Sequence, residues 1–172
     1  MSSRRVMWLI VVAAVLQPSP ARADHWTLAG NLLFPDQSLK SHQPGPGLTL
    51  TWEHPVSARW RAEASTGYLT LLSKQVPSFQ MIPLQAGANY AILGGNSTPY
   101  VGGSLGMFIT SESFRFLFDG ESITDDDWSV YWGPEMKAGY RWSWLDGSAS
   151  YQVLWPASAG AGFFRIQAGY KF

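Results

Sequence analysis

The chain contains no cysteine among its 172 residues, which excludes disulfide staples and a lipid-modified cysteine behind a leader. It also lacks any apolar run of the ~18 residues that a membrane-crossing helix requires. Its mean hydropathy of −0.05 argues against a bundle of such helices. Charge is scarce at 14%, and neither sign dominates, with twelve basic and twelve acidic side chains. A nucleic-acid surface needs a basic excess, so that partner class is excluded. Histidine occurs three times, and no spacing of histidines and carboxylates suggests a metal site or a cofactor.

What is abundant is aromatic and small: 15% aromatics with nine Trp, and seventeen Gly. Residues 1–23 are set aside first. Arg4 and Arg5 precede an apolar run over 6–16, followed by Pro18, Pro20 and Ala21-Arg22-Ala23. This is the pattern of a cleaved secretory signal peptide, with cleavage expected before Asp24. Ser3-Arg4-Arg5 hints at a twin-arginine signal, but the following residues fit it poorly and general secretion fits better. The remainder, 24–172, is long enough for one domain, and losing three basic residues brings its formal charge to about −3.

That remainder alternates with period two. Over 162–172, Phe164, Ile166, Ala168, Tyr170 and Phe172 share one parity, against Arg165, Gln167, Gly169 and Lys171. Such a stretch is a strand with one apolar face. The same pattern recurs over 24–34 (Trp26, Leu28, Leu32 against Thr27, Ala29, Asn31), 47–54 (Leu48, Leu50, Trp52 against Thr49, Thr51, Glu53) and 59–72 (Trp60, Ala62, Tyr68 against Arg61, Glu63, Ser65). It continues over 79–93, from Thr98 past Ile109, over 128–142 and over 147–155. Turn residues punctuate these runs: Pro55-Val56-Ser57-Ala58, Gly94-Gly95-Asn96-Ser97 and Ser143-Trp144-Leu145-Asp146. Residues 35–46, 73–78, 112–127 and 156–161 are expected to be loops, the third of them longest, with an Asp119-Gly120 turn.

Eight strands follow, each near the ~9 to 11 residues that a tilted strand needs to cross a bilayer. The expected fold is all-β, an eight-stranded antiparallel up-and-down transmembrane β-barrel. Strands exposed to hydrocarbon must pair on both edges, which forces closure. At this strand number the bore is filled by side chains. The polar parity then faces inward and carries Glu53, Glu63 and Glu135 with Arg61, Lys137, Arg141, Arg165 and Lys171. Neighbouring strands would pair these charges, because an isolated one in such an interior is costly. They read as a structural plug of ion pairs, with a gate as the alternative. Trp52, Trp60, Tyr90, Tyr100, Trp142 and Trp144 near the tight turns, and Tyr68, Trp128, Trp132 and Trp155 towards the loops, form two belts of interfacial aromatics. A soluble lipid-binding barrel shares the periodicity. The terminal Tyr170-Lys171-Phe172, the belts and the leader favour the membrane.

The closing Tyr-x-Phe resembles the assembly signal of Gram-negative outer-membrane barrels. Pro99-Tyr100-Val101-Gly102-Gly103-Ser104-Leu105-Gly106 looks like a segment of the OmpA/OmpX-like group, and the likeness covers about residues 24–172. It implies a monomer in the outer membrane of a Gram-negative bacterium. Tyr170 and Phe172 would be read by the barrel assembly machinery, and outer-membrane lipids and lipopolysaccharide would be the surroundings. The implied role is structural or surface interaction.

Catalysis has little support. The lipid A deacylase family carries His-x-Ser, and none of the three histidines precedes a serine by two residues; His42 lies with Ser41 and Ser38 in the first loop. No catalytic residue is assigned. Pro83 and Pro134 interrupt two strands and mark either bulges or, as in the lipid A palmitoyltransferase barrel, a lateral opening for lipid beside Gly102, Gly103 and Gly106. Asp125, Asp126 and Asp127 lack the spacing of a calcium loop and would give weak cation contacts at most. A lipid A-modifying or lipid-binding barrel enzyme, and a narrow small-solute channel, are the alternatives to the structural role. Phe114, Phe116 and Phe118 alternate, so the third hairpin is able to extend above the membrane and offer an edge to a partner.

Overall fold

The computed structural model describes residues 24–73, 78–93, 97–118, 121–155 and 161–172, and within 112–127 the backbone alone. The leader over 1–23, the Gly94-Gly95-Asn96 part of one turn and the Asp119-Gly120 turn lie outside the described residues. The alternating stretches form β1 (His25–Pro35), β2 (Gly45–Pro55), β3 (Trp60–Leu71), β4 (Phe79–Ala91), β5 (Thr98–Phe118), β6 (Glu121–Arg141), β7 (Leu145–Leu154) and β8 (Ala161–Lys171). Each strand pairs antiparallel with its chain neighbours, and β1 closes the barrel on β8 from Thr27↔Lys171 to Pro35↔Phe163.

Alternation decides which side chains go where. In β1, Thr27, Ala29, Asn31 and Leu33 are buried while Leu28, Gly30 and Leu32 are exposed. Around the wall, Leu48, Val101, Leu105, Met136, Trp144, Ile166 and Phe172 are each at least 46% exposed, whereas Glu53, Glu135, Arg141 and Arg165 are at most 6% exposed. A wall that shows leucine and tryptophan outward and sequesters its charges is stable in hydrocarbon and not in water, so the barrel spans a membrane.

Two expectations are corrected. Residues 112–127 are mainly a continuation of the barrel strands, because β5 and β6 stay in register from Thr98↔Arg141 to Phe118↔Glu121. Among the described residues, the last partner of β5 on the β4 side is Glu112, opposite Phe79. On the other side, β6 meets β7 in a ladder that begins at Glu135, plus an isolated bridge from Trp132 to Trp155. Six pairs, Ser113↔Asp126 to Phe118↔Glu121, therefore project past the rim, about 20 Å at strand rise. Polar composition suggested a loop here, but an established ladder extends readily through any residues that accept the extended backbone.

The interior is also not polar throughout. Leu33, Leu69, Leu71, Phe79, Met81, Phe108, Leu154, Ala161 and Phe163 form a buried apolar cluster towards the long loops, with Leu39 and Tyr131 packed against it. Leu39 belongs to a short 3-10 turn, Gln37–Leu39, in the first loop. Near the loop side both parities are apolar, as in Leu32-Leu33-Phe34 and Met107-Phe108-Ile109, so alternation by itself concealed the plug.

Candidate functional site in the interior and at the rim

Charged side chains occupy the half of the interior nearest the tight turns. Arg141, donated by the end of β6, is 2% exposed and hydrogen-bonds Glu53 from β2. Its Nε lies 3.4 Å from Oδ2 of Asp146, and its guanidinium sits 4.9 Å from the Tyr100 ring centroid. Tyr100 donates to Oδ1 of Asp146 at 2.6 Å. Arg61 stands 4.0 Å from the other Glu53 oxygen, an ion pair without a hydrogen bond. Lys137 donates to Glu63, and Nδ2 of Asn89 reaches both Glu63 at 2.7 Å and Glu53 at 3.2 Å. Glu53 and Glu63 are register partners on β2 and β3, so Asn89 bridges two like charges that would otherwise repel.

A second network sits nearer mid-barrel. Arg165 hydrogen-bonds Glu135, which also accepts from Ser104 at 2.9 Å and from Gln85 at 2.9 Å. Lys171 has no carboxylate within ion-pair distance among the described residues, unlike the other four cations expected in the interior. Space for these side chains comes from inward glycines. A Cβ on Gly102 would stand 2.0 Å from Oδ1 of Asn89, and one on Gly139 2.6 Å from Cζ of Tyr100. Within the turn-side network, on its mid-barrel side, a cavity of about 10 Å³ remains, bordered by Glu53, Glu63, Lys137 and Asp146, room for about one water.

Two residues differ from the sequence expectation. Tyr100 is 3% exposed and points inward, so it is not part of the turn-side belt. Asp146, assigned to a turn, is the second residue of β7 and joins the interior network. Its parity with Ser148, Ser150 and Gln152 was the available signal. The other belt residues are on the wall: Trp60 packs tilted against Tyr90 at 5.1 Å, and Trp142 tilted against Tyr140 at 4.6 Å, with Trp128, Trp132 and Trp155 exposed at the opposite side. Tyr170 and Phe172 are 58% and 60% exposed on the outer wall of the closing strand.

Both prolines lie where one ladder breaks. The β3–β4 pairing skips from Thr66↔Leu84 to Leu69↔Met81, leaving Pro83 bonded in register only to β5. The β6–β7 ladder stops at Glu135↔Gln152, beside Pro134. There the Gln152 amide turns into the gap, donating to the carbonyls of Pro134 at 3.0 Å and Val153 at 2.9 Å. A side chain thus replaces the pairing that the strand backbones leave undone.

At the rim, Asp36 ties the first loop to the wall. It accepts from the Ser38 amide at 2.8 Å, the Ser38 hydroxyl and the Tyr151 hydroxyl at 2.8 Å. Burial opposes ionisation of Asp36, but those hydrogen bonds outweigh it and hold the carboxyl below the usual aspartate value. His42 meets Ser41 Oγ at 3.2 Å and the edge of Phe79 at 5.9 Å, and no carboxylate is paired with it among the described residues. His25 opens β1, and His54 bonds Asp24 at 2.7 Å, both at the turn side. Asp125 and Asp126 lie on the projecting part of β6 and Asp127 at its base opposite Glu112, and their side chains are outside the described residues.

No protein-family model matches the sequence, and no curated protein matches it. Solved structures do match in shape. The N-terminal β-barrel domain of Pseudomonas aeruginosa OprF aligns with a TM-score of 0.59 at 12% identity, over 88% of this chain and 100% of that one. Neisserial surface protein A aligns at 0.60 and 14% identity, over 86% and 95%. Ail, the attachment invasion locus protein of Yersinia pestis, in complex with the heparin analogue sucrose octasulfate, aligns at 0.58 and 16%, over 87% and 97%. At these identities the likeness is one of fold: the chain has the architecture of the small eight-stranded outer-membrane barrels.

Proposed function

We propose that this chain is a monomeric outer-membrane barrel of a Gram-negative bacterium whose interior is a fixed plug and whose projecting β5–β6 hairpin engages a partner outside the cell. The observation that carries this reading is the run of six register pairs beyond the rim, past the last ladder partners of β5 on β4 and of β6 on β7 among the described residues. Free strand edges are templates for strand addition. The turn side, holding the termini and short connections, would face the periplasm. Lipid and lipopolysaccharide would cover the wall, and Tyr170 and Phe172 would be read during assembly.

The hairpin's sequence sets the partner's chemistry. Residues 112–127 carry six carboxylates, Glu112, Asp119, Glu121, Asp125, Asp126 and Asp127, against Arg115 alone. A sulfated sugar such as the sucrose octasulfate bound in the Ail structure is therefore a poor match, and a basic, extended protein segment is a good one. The same carboxylates would take up divalent cations only weakly. Shortening 114–125 to an Asn-Gly turn tests this: the barrel should remain heat-modifiable in outer-membrane fractions while cells expressing it lose adherence to basic matrix proteins. Undiminished adherence overturns the role of the hairpin.

A lipid A-modifying function has a narrower basis, the two ladder breaks at Pro83 and Pro134, which would have to open laterally. The Gln152 amide lying in one of them favours a sealed wall. Mass spectrometry of lipid A from cells with and without the protein separates the readings; a changed acyl pattern supports the enzyme. A small-solute channel would need to pass both the ion-pair networks and the apolar plug.

A further inference from the structure

The outer wall is not uniformly covered by large side chains. Ala88, Gly103, Ala138 and Ala149 all face outward, and the register sets them in two pairs, Ala88 opposite Gly103 on β4 and β5 and Ala138 opposite Ala149 on β6 and β7, with Val101 and Met136 between the pairs. They floor a groove of about 800 Å³. One end is closed by Trp60 and Tyr90, whose rings are 5.1 Å apart, and the other by Tyr151 and Phe164, 4.7 Å apart. The Trp60–Tyr90 end lies at the turn side, where the exposed Arg59 donates to the Tyr90 hydroxyl at 2.9 Å.

In hydrocarbon such a groove must be filled, because a void forfeits the dispersion contacts of its lining. Any neighbouring lipid tail would do this transiently. What distinguishes this groove is the cation at its interfacial end. Arg59 has no carboxylate partner among the described residues, and with one N–H on Tyr90 most of its donors remain for another acceptor. A planar guanidinium at the bilayer interface matches a phosphate.

We propose that the groove is a binding site for one anionic phospholipid, its phosphate held by Arg59 and one acyl chain laid over Ala88, Gly103, Ala138 and Ala149. Trp60 and Tyr90 sit at the level where the chain meets the headgroup. The site rests on the membrane placement proposed above and is separate from the hairpin; its lipid belongs to the leaflet on the turn side.

The test folds the full chain after its leader into vesicles of phosphatidylethanolamine with a minority of phosphatidylglycerol, then extracts it in mild detergent for native mass spectrometry. The expected result is a barrel carrying one phosphatidylglycerol, enriched over its share of the bilayer. Arg59→Gln should lower that retention about tenfold, the size of one charge-assisted hydrogen bond. A paired Ala138→Leu, Ala149→Leu variant, which fills the floor with side chains compatible with lipid, should abolish it. Heat-modifiable migration of each variant verifies insertion. Retention in proportion to bilayer composition, retention unchanged in both variants, or a two-chain complex in place of a lipid adduct overturns the site. Failure of the unaltered barrel to insert overturns the membrane placement, and the site with it.

Discussion

Removing Arg141 should be the most damaging single change in the ion-pair half of the barrel. Its side chain is 2% exposed and serves two carboxylates, Glu53 at 4% and Asp146 at 7% residue exposure. Arg141→Met keeps much of the volume but removes the near cation from both buried anions, leaving Glu53 with Asn89 and the more distant Arg61, and Asp146 with the Tyr100 hydroxyl. Breaking a buried pair from one side costs about 3–5 kcal/mol, two to three and a half powers of ten in the unfolding equilibrium. Glu53→Gln should cost less, about 1–3 kcal/mol, because Arg141 keeps Asp146 and the amide can still accept from Asn89. In the double variant Glu53 is no longer an uncompensated charge, so its cost should fall short of the sum by about 0.5–3 kcal/mol. Denaturant unfolding of the refolded barrel in detergent micelles, followed by tryptophan fluorescence, supplies the four values. They should hardly change between low and high salt, since a buried pair is poorly screened. A cost below about 1 kcal/mol for Arg141→Met, or strict additivity, would refute the claim that these charges form one coupled network.

Three further outcomes follow from the packing. Phe108→Ala opens the apolar plug at a fully buried position and should cost about 3–5 kcal/mol in the same unfolding assay; a loss under about 1 kcal/mol would mean that the plug is not close-packed. Gly133→Ala places a Cβ 1.6 Å from the Val153 carbonyl oxygen and should cost at least about 1–3 kcal/mol with reduced heat-modifiability, whereas Gly30→Ala, with nothing within 4 Å, should fold as the parent does. Asp36 has its carboxyl value depressed in the folded state, so its contribution is full above the unfolded value near 4 and is lost as pH falls through the depressed folded value. The stability gap between the parent and Asp36→Ala should therefore be constant from pH 7 to about 5 and close in stronger acid; a gap that persists there refutes the ionised cap.

Strand number, order and facing were legible because period two is a local property and a lipid-facing wall imposes it on every strand. Leu28, Leu48, Leu105 and Ile166 could face outward only if Glu53, Glu135 and Arg165 faced in. Pairing between particular charges was not legible. Glu53 meets Arg141 across 88 residues and Glu63 meets Lys137 across 74; such partners are fixed by the shear of the closed barrel, which no local pattern encodes. Asp146 and Tyr100 were misread for a related reason. Near a tight turn, residue type suits both a turn and a strand end, and only the register, Tyr100 opposite Gly139 and Asp146 opposite Arg141, assigns them to the interior.

The same reasoning explains why composition misled over 112–127. Acidic and hydroxylated residues suggest a solvated loop, yet a hairpin that is already zipped from Thr98↔Arg141 upward needs no apolar face to continue, since its nucleation cost is borne by the barrel. Once past the rim it is released from the constraints that shape the rest of the chain. Inside, ion pairs, amides and apolar side chains fill nearly all of the described volume, so substitutions there alter stability first. Outside, between Ser113 and Asp126, the register demands only an extended backbone. Changes of sequence confined to that stretch should therefore cost little in folding, and under the proposed role they would change which partner the hairpin accepts.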